Sequence, residues 1–115
     1  MSLDQLRSRL RDFVRARDWE KFHAPKNLAM ALTVEAAELL EQFQWLTPEE
    51  SRELPEKSKA AVEDEIGDVL IYLVRLCDEL GIDAEAAAGR KLEKNELKYP
   101  AELVRGQAKK YTDYG

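Results

Sequence analysis

Two acidic pairs, Glu35-Ala-Ala-Glu38 and Glu65-Ile-Gly-Asp68, stand inside the two most apolar helical stretches of this 115-residue chain. Spacing of i, i+3 puts both carboxylates of a pair on one helix face. A carboxylate taken out of water without a partner is costly, so four of them in core-forming segments require neutralisation. The chain has one histidine, and few lysines lie near the pairs. The simplest neutraliser is a hard divalent cation with oxygen ligands, Mg²⁺ first and Mn²⁺ as the alternative. If the two helices pack antiparallel, the pairs face each other across a groove.

Periodicity supplies those helices and their neighbours. Leu3, Leu6, Leu10, Phe13 and Val14 recur at helical spacing, predicting an amphipathic helix over about 3–17. The stretch Arg17–Pro25 reads as a connection, and Pro25 suits a helix start. A second helix is expected from about Lys26 to Leu46. Thr47-Pro48-Glu49-Glu50 is a capping-box start for a short helix that Leu54-Pro55 ends. A long helix then covers about Glu56 to Leu80, stopped by Gly81. Asp83 caps another, about Ala84 to Leu97, and Tyr99-Pro100 closes it. The tail 101–115 has weak periodicity and is expected to be extended or partly ordered. With no useful period-2 stretch, the chain reads as one all-α domain over residues 1–115.

Composition narrows the function classes. No apolar run approaches a membrane span and no signal-peptide core opens the chain, so a cytoplasmic protein without a membrane partner is expected. Cys77, the single cysteine, reads as a small packing residue and supports no disulfide framework. Residues 1–89 carry 11 basic and 19 acidic side chains, a balance of −8, while residues 90–115 carry 7 and 4, a balance of +3. An acidic body argues against a nucleic-acid polymer as partner, because counterion release needs a basic surface. A small phosphorylated ligand stays compatible, since bound metal ions invert the local sign.

Individual residues carry competing readings. Asp68 lies in a run that is apolar on nearly every side of the helical wheel, which predicts burial; it either ligates metal or pairs with an arginine such as Arg75 or with a helix N-terminus. Gly67 in mid-helix costs about 1 kcal/mol against alanine, understandable if something approaches the backbone closely. Glu35 and Glu38, extended by Glu41, read alone as a solvated ridge; with Glu65 and Asp68 they make a ligand set. Di-iron bundle chemistry would need Glu-x-x-His motifs, which the chain lacks. Trp19 and Trp45 are either packing residues or a stacking platform for a base, and His23 either bonds phosphate or the backbone. Lys91 and Asn95, one turn apart, either reach a polyphosphate or form a solvated stripe.

These residues in this order resemble the all-α NTP pyrophosphohydrolases (MazG-like). Glu35-x-x-Glu38, a 26-residue spacer and Glu65-x-x-Asp68 carry the resemblance. Arg17-Asp18-Trp19-Glu20-Lys21-Phe22-His23-x-Pro25-x-Asn27-Leu28, Phe43-Gln44-Trp45, Asp68-Val69-Leu70-Ile71-Tyr72-Leu73 and Lys91-x-x-x-Asn95-x-x-x-Tyr99-Pro100 are similar to the dCTP pyrophosphatase branch. The likeness runs from about Leu6 to Tyr111. It implies a helical bundle whose antiparallel core is completed by oligomerisation, as a homodimer or homotetramer.

The resemblance also implies an activity: Mg²⁺-dependent hydrolysis of a nucleoside triphosphate to the monophosphate and pyrophosphate, a house-cleaning role. Glu35, Glu38, Glu65 and Asp68 would be the metal and catalytic set. Trp19, His23, Trp45, Tyr72, Lys91 and Asn95 would bind substrate, expected to be dCTP or a modified dCTP. The branch carries a base-holding histidine in its first helix where this chain has Leu10, and the segment Thr47–Ser58 is shorter than in animal members. The competing reading is a non-catalytic helical module that binds nucleotide or metal, or registers an oligomer.

Overall fold

Six α-helices and one 3₁₀ turn make up the computed structural model, which describes residues 1–108. Helix α1, Leu3–Ala16, starts on a capping box: Ser2 Oγ accepts from the Gln5 N–H at 3.1 Å and Gln5 Oε1 from the Ser2 N–H at 2.8 Å. It ends where Asp18 takes φ of 54°, the left-handed region that a short polar side chain tolerates. A 3₁₀ turn, Glu20–Phe22, leads to α2, Pro25–Glu41, with Pro25 at its first position.

Helix α2 stops five residues before the expected Leu46. The N–H groups of Gln42, Phe43 and Leu46 reach back only three residues, to Leu39, Leu40 and Phe43. The chain tightens into turns there, and Thr47, the residue before Pro48, is extended with ψ of 161°. Thr47 then caps α3, Pro48–Ser51, with both bonds of the expected box present. Helix α4 spans Glu56–Leu80 and ends at Gly81, whose φ of 66° no β-carbon-bearing residue adopts cheaply. Asp83 Oδ1 caps α5, Ala84–Lys98, by accepting from the Ala86 N–H at 3.0 Å. Helix α6 is one turn, Ala101–Val104, within the tail expected to be extended or partly ordered; residues 109–115 lie outside the described residues.

Contacts gather the chain into two compact units, Met1–Ile82 and a second beginning at Asp83. In the first, α2 packs antiparallel on α4. His23, before α2, is bonded to Arg75 near the end of α4, while Gln42 and Leu46, after α2, line one cavity with Ser58 near the start of α4. Helix α1 docks on α4 through Arg11, whose Nε and Nη2 donate to both Asp78 oxygens at 2.8 and 2.5 Å. Leu10, Val14, Leu28, Val62 and Val74 form the buried core.

That core is smaller than the periodicity of α4 suggested. Ile66, Leu70, Leu73 and Leu80 stay exposed, Asp68 and Cys77 are half-buried, and a β-carbon at Gly67 would meet nothing within 4 Å. Two partner helices cannot surround a third, so part of its apolar circumference faces outward. Among the described residues, no helix is long and apolar enough to cross a membrane.

Leu28, 1% exposed, is the most enclosed core residue. Leu28→Ala should cost about 2–5 kcal/mol in urea unfolding. Gly81→Ala should cost about 1 kcal/mol, because the left-handed conformation must be kept with a β-carbon in place.

Candidate metal centre and the adjoining cavity

Antiparallel packing of α2 on α4 brings acids from the second half of α2 against Glu65 in the first half of α4. One carboxylate oxygen from each of Glu35, Glu38 and Glu65 lies within 4.8 Å of the others, and all three residues are half-buried. Asp68, one turn beyond Glu65, stands outside this triad yet close enough to act on both Glu35 and Glu65 electrostatically. Arg75 does not serve it: the Arg75 donors go to His23, Asp78 and Glu79.

The like charges leave a mark on proton affinity. Burial first, then Glu65, Glu38 and Asp68, push the Glu35 carboxyl up to about 7. Burial raises Glu65 too, while its hydrogen bond with Glu35 works the other way. Without a cation, one proton held between the two is their internal remedy. Oε2 of Glu35 and Oε2 of Glu65 are buried and meet no donor. Oxygens of this kind, acceptors only and without donors, fit a hard cation better than they fit one another.

Between α1 and α4 lies a cavity of about 390 Å³, lined by Leu6, Leu10, Phe13, Val14 and Ile71 together with Trp19, His23, Tyr72 and Arg75, Tyr72 standing one turn after Asp68. Trp19 is held edge-on against Phe13, ring centres 5.8 Å apart at 74°, and Arg17 covers the other part of Phe13 with its guanidinium 3.7 Å from the ring centre. Arg75, 4% exposed, donates from Nε to His23 Nδ1 at 3.2 Å and from its terminal nitrogens to Asp78 at 3.3 Å and Glu79 at 2.6 Å. Burial and then Arg75 hold the His23 imidazole below its ordinary range, with Glu79 opposing.

Of the residues singled out in the sequence, Trp19, His23 and Tyr72 therefore meet in one cavity. Trp45 does not line it; it is 86% exposed in the turns after α2. Lys91 and Asn95 lie on α5 in the second unit, the first exposed and the second half-buried. The sequence reading missed Arg75 as the partner of His23 and, of the α1 wall of the cavity, marked only Leu10. The first had a trace in the sequence, acids three and four residues after Arg75. The second depends on how α1 docks, which no local spacing encodes.

The model of the MazG-like family matches residues 30–114. Over 114 residues the chain is 43% identical to mouse (Mus musculus) dCTP pyrophosphatase 1 and 40% to the human (Homo sapiens) protein, covering 97% of this chain and 67% of each relative. The crystal structure of a pyrophosphatase from Archaeoglobus fulgidus superposes with a TM-score of 0.80 at 51% identity, covering 84% of this chain and 91% of that one.

The acid cluster makes stability depend on pH and cation together. Glu35 titrates near 7 when folded against 4.5 as a free group, so the folded state holds the extra proton between those values. Metal-free protein should lose melting temperature as pH rises from about 5 to 8, because the unfolded chain gives that proton up more readily. A saturating divalent cation should raise the melting temperature most at the alkaline end, where it need not displace the proton. Thermal scans across pH with cation and with EDTA read both effects.

Proposed function

The chain belongs to the MazG-like family and is a nucleoside triphosphate pyrophosphohydrolase, and we propose that it cleaves dCTP or a modified dCTP with Mg²⁺. The observation that carries this reading is the convergence of oxygens from Glu35, Glu38 and Glu65, two of which residues also have a buried carboxylate oxygen without a donor. Glu35, Glu38, Glu65 and Asp68 are the proposed ligands. Mg²⁺, when bound, supplies the Lewis acidity that neutralises the triphosphate and lowers the pKa of a water.

The chain's own groups do the rest. Water attacks the α-phosphorus in line, its proton passing to a carboxylate of the Glu35–Glu38 pair, and pyrophosphate departs with the monophosphate left behind. The base enters the cavity against Trp19 and Tyr72, with His23 at its edge. Lys91 and Asn95 are proposed to contact phosphate or sugar, and Trp45 to contact the base from a second copy of the chain.

Association follows from the uncovered face of α4. Ile66, Leu70, Leu73 and Leu80, with Cys77 between, recur at alternating steps of four and three, the seam of a helix that packs on another. A homodimer or homotetramer covers that seam, and removal of surplus or modified deoxynucleotides in the cytoplasm is the role such an enzyme serves.

Anion-exchange analysis of a nucleoside triphosphate panel, with Mg²⁺ and with EDTA, should show metal-dependent monophosphate plus pyrophosphate, fastest for dCTP or a 5-modified relative. Asp68→Ala should lower the rate by more than the roughly 10–100-fold typical of losing a residue that only supports a ligand, with helical content unchanged. Nucleoside diphosphate plus orthophosphate as products would refute the assignment, and binding without turnover would leave the helical binding module. Sedimentation should give a dimer or tetramer, and Ile66→Lys a smaller species.

A further inference from the structure

Arg75 is an unusual residue to enclose: a guanidinium only 4% exposed, well inside a helix whose neighbours are apolar. Its charge is met on one side. The terminal nitrogens donate to Asp78 and Glu79 on the next turn of α4, and Asp78 is itself gripped by both donors of Arg11 from α1. That leaves Nε, aimed at Nδ1 of His23 at 3.2 Å. The relay thus begins on α1, crosses α4 and ends on the imidazole that edges the cavity.

We propose that Arg75 is a positioning residue which, by donating from Nε to His23 Nδ1, holds the imidazole in its Nε2–H tautomer and makes His23 a fixed hydrogen-bond donor to the bound base. The argument is one of donor inventory. A guanidinium has donors only, so Nδ1 must offer its lone pair, and in a neutral imidazole the proton then sits on Nε2. The guanidinium cannot turn away, because two carboxylates hold its other end.

Burial and Arg75 favour the uncharged imidazole of His23, with Glu79 opposing. Arg75 and Glu79 of α4 act on it with opposite sign, Tyr72 of α4 and Arg9 of α1 line the same cavity, and burial is the largest influence, disfavouring the imidazolium. The cavity walls are otherwise apolar, so a donor fixed at their edge selects the base. A ring nitrogen or carbonyl oxygen is welcomed there, and an amino group, donor against donor, is refused.

This inference rests on the nucleotide reading for its ligand but not for its tautomer, and the two separate in experiment. His23 is the chain's only histidine, so protein labelled with ¹⁵N-histidine gives one imidazole spin system. Metal-free, ligand-free wild-type protein at pH 7 should show Nδ1 unprotonated and Nε2 protonated. Arg75→Met should give a mixture of tautomers and a titration shifted up toward 6.5. With the substrate found by the panel above, KM should rise roughly 3- to 10-fold, the loss of one neutral hydrogen bond, and kcat should change far less. Arg75 stands two turns, about 10 Å of helix, beyond Asp68.

If Arg75→Met does not fold, Arg11→Met, whose side chain is half-exposed, removes the brace on Asp78 and should move the same signals in the same direction by less. An Nδ1–H tautomer in the wild type overturns the proposal, as does a tautomer and KM indifferent to Arg75. The expected tautomer without turnover on any nucleotide would instead sink the function proposed above and leave the positioning intact.

Discussion

Packing α2 against α4 compresses like charges, and everything else in the first unit is arranged around that compression. Three glutamate oxygens share a space of less than 5 Å across, with a fourth acid one turn away. Left to itself the cluster retains a proton that a free glutamate would have shed. Such packing is a poor way to build a helical hairpin and a good way to build a cation site, because the repulsion stored in the metal-free chain returns as affinity when an ion enters.

The same two helices divide their remaining surface between two tasks. Toward α1, α4 offers Ile71, Tyr72 and Arg75 to the aromatic-edged cavity. Away from α1 it offers Ile66, Leu70, Leu73 and Leu80 to solvent. A helix of 25 residues with apolar side chains on nearly all sides needs more neighbours than the first unit has, and in this protein the shortage is concentrated on one stripe. Acids, cavity and stripe are three sectors of one helix, so a shift in any one of them is felt by the others.

How far the sequence led can be judged residue by residue. The convergence of Glu35, Glu38 and Glu65 was legible because i, i+3 spacing on two consecutive long helices leaves few antiparallel registers that keep both apolar faces inside. Thr47, Gly81 and Asp83 announced their helix ends through local chemistry that the structure reproduces. The capping box at Ser2 and Gln5 was equally visible and went unread. What local rules could not deliver were the long-range matters. Arg75 was offered to Asp68 because the run looked buried throughout, whereas the docking of α1 supplied Asp78 with a second arginine and left Arg75 free to reach His23. Asp68 and Cys77 are less enclosed than their surroundings implied, for burial depends on how many helices arrive, and periodicity counts only faces.

The connection between α2 and α4 is short, fourteen residues from Gln42 to Pro55, and already contains its own capped turn. About thirty positions separate Glu35 from Glu65, so one loop closure brings the acid cluster together. Closing a loop of that size costs only a little more entropy than closing a far smaller one. The short tether thus loses little entropy in bringing the acid-bearing faces of α2 and α4 together, and leaves more of the packing energy to oppose the repulsion between their carboxylates.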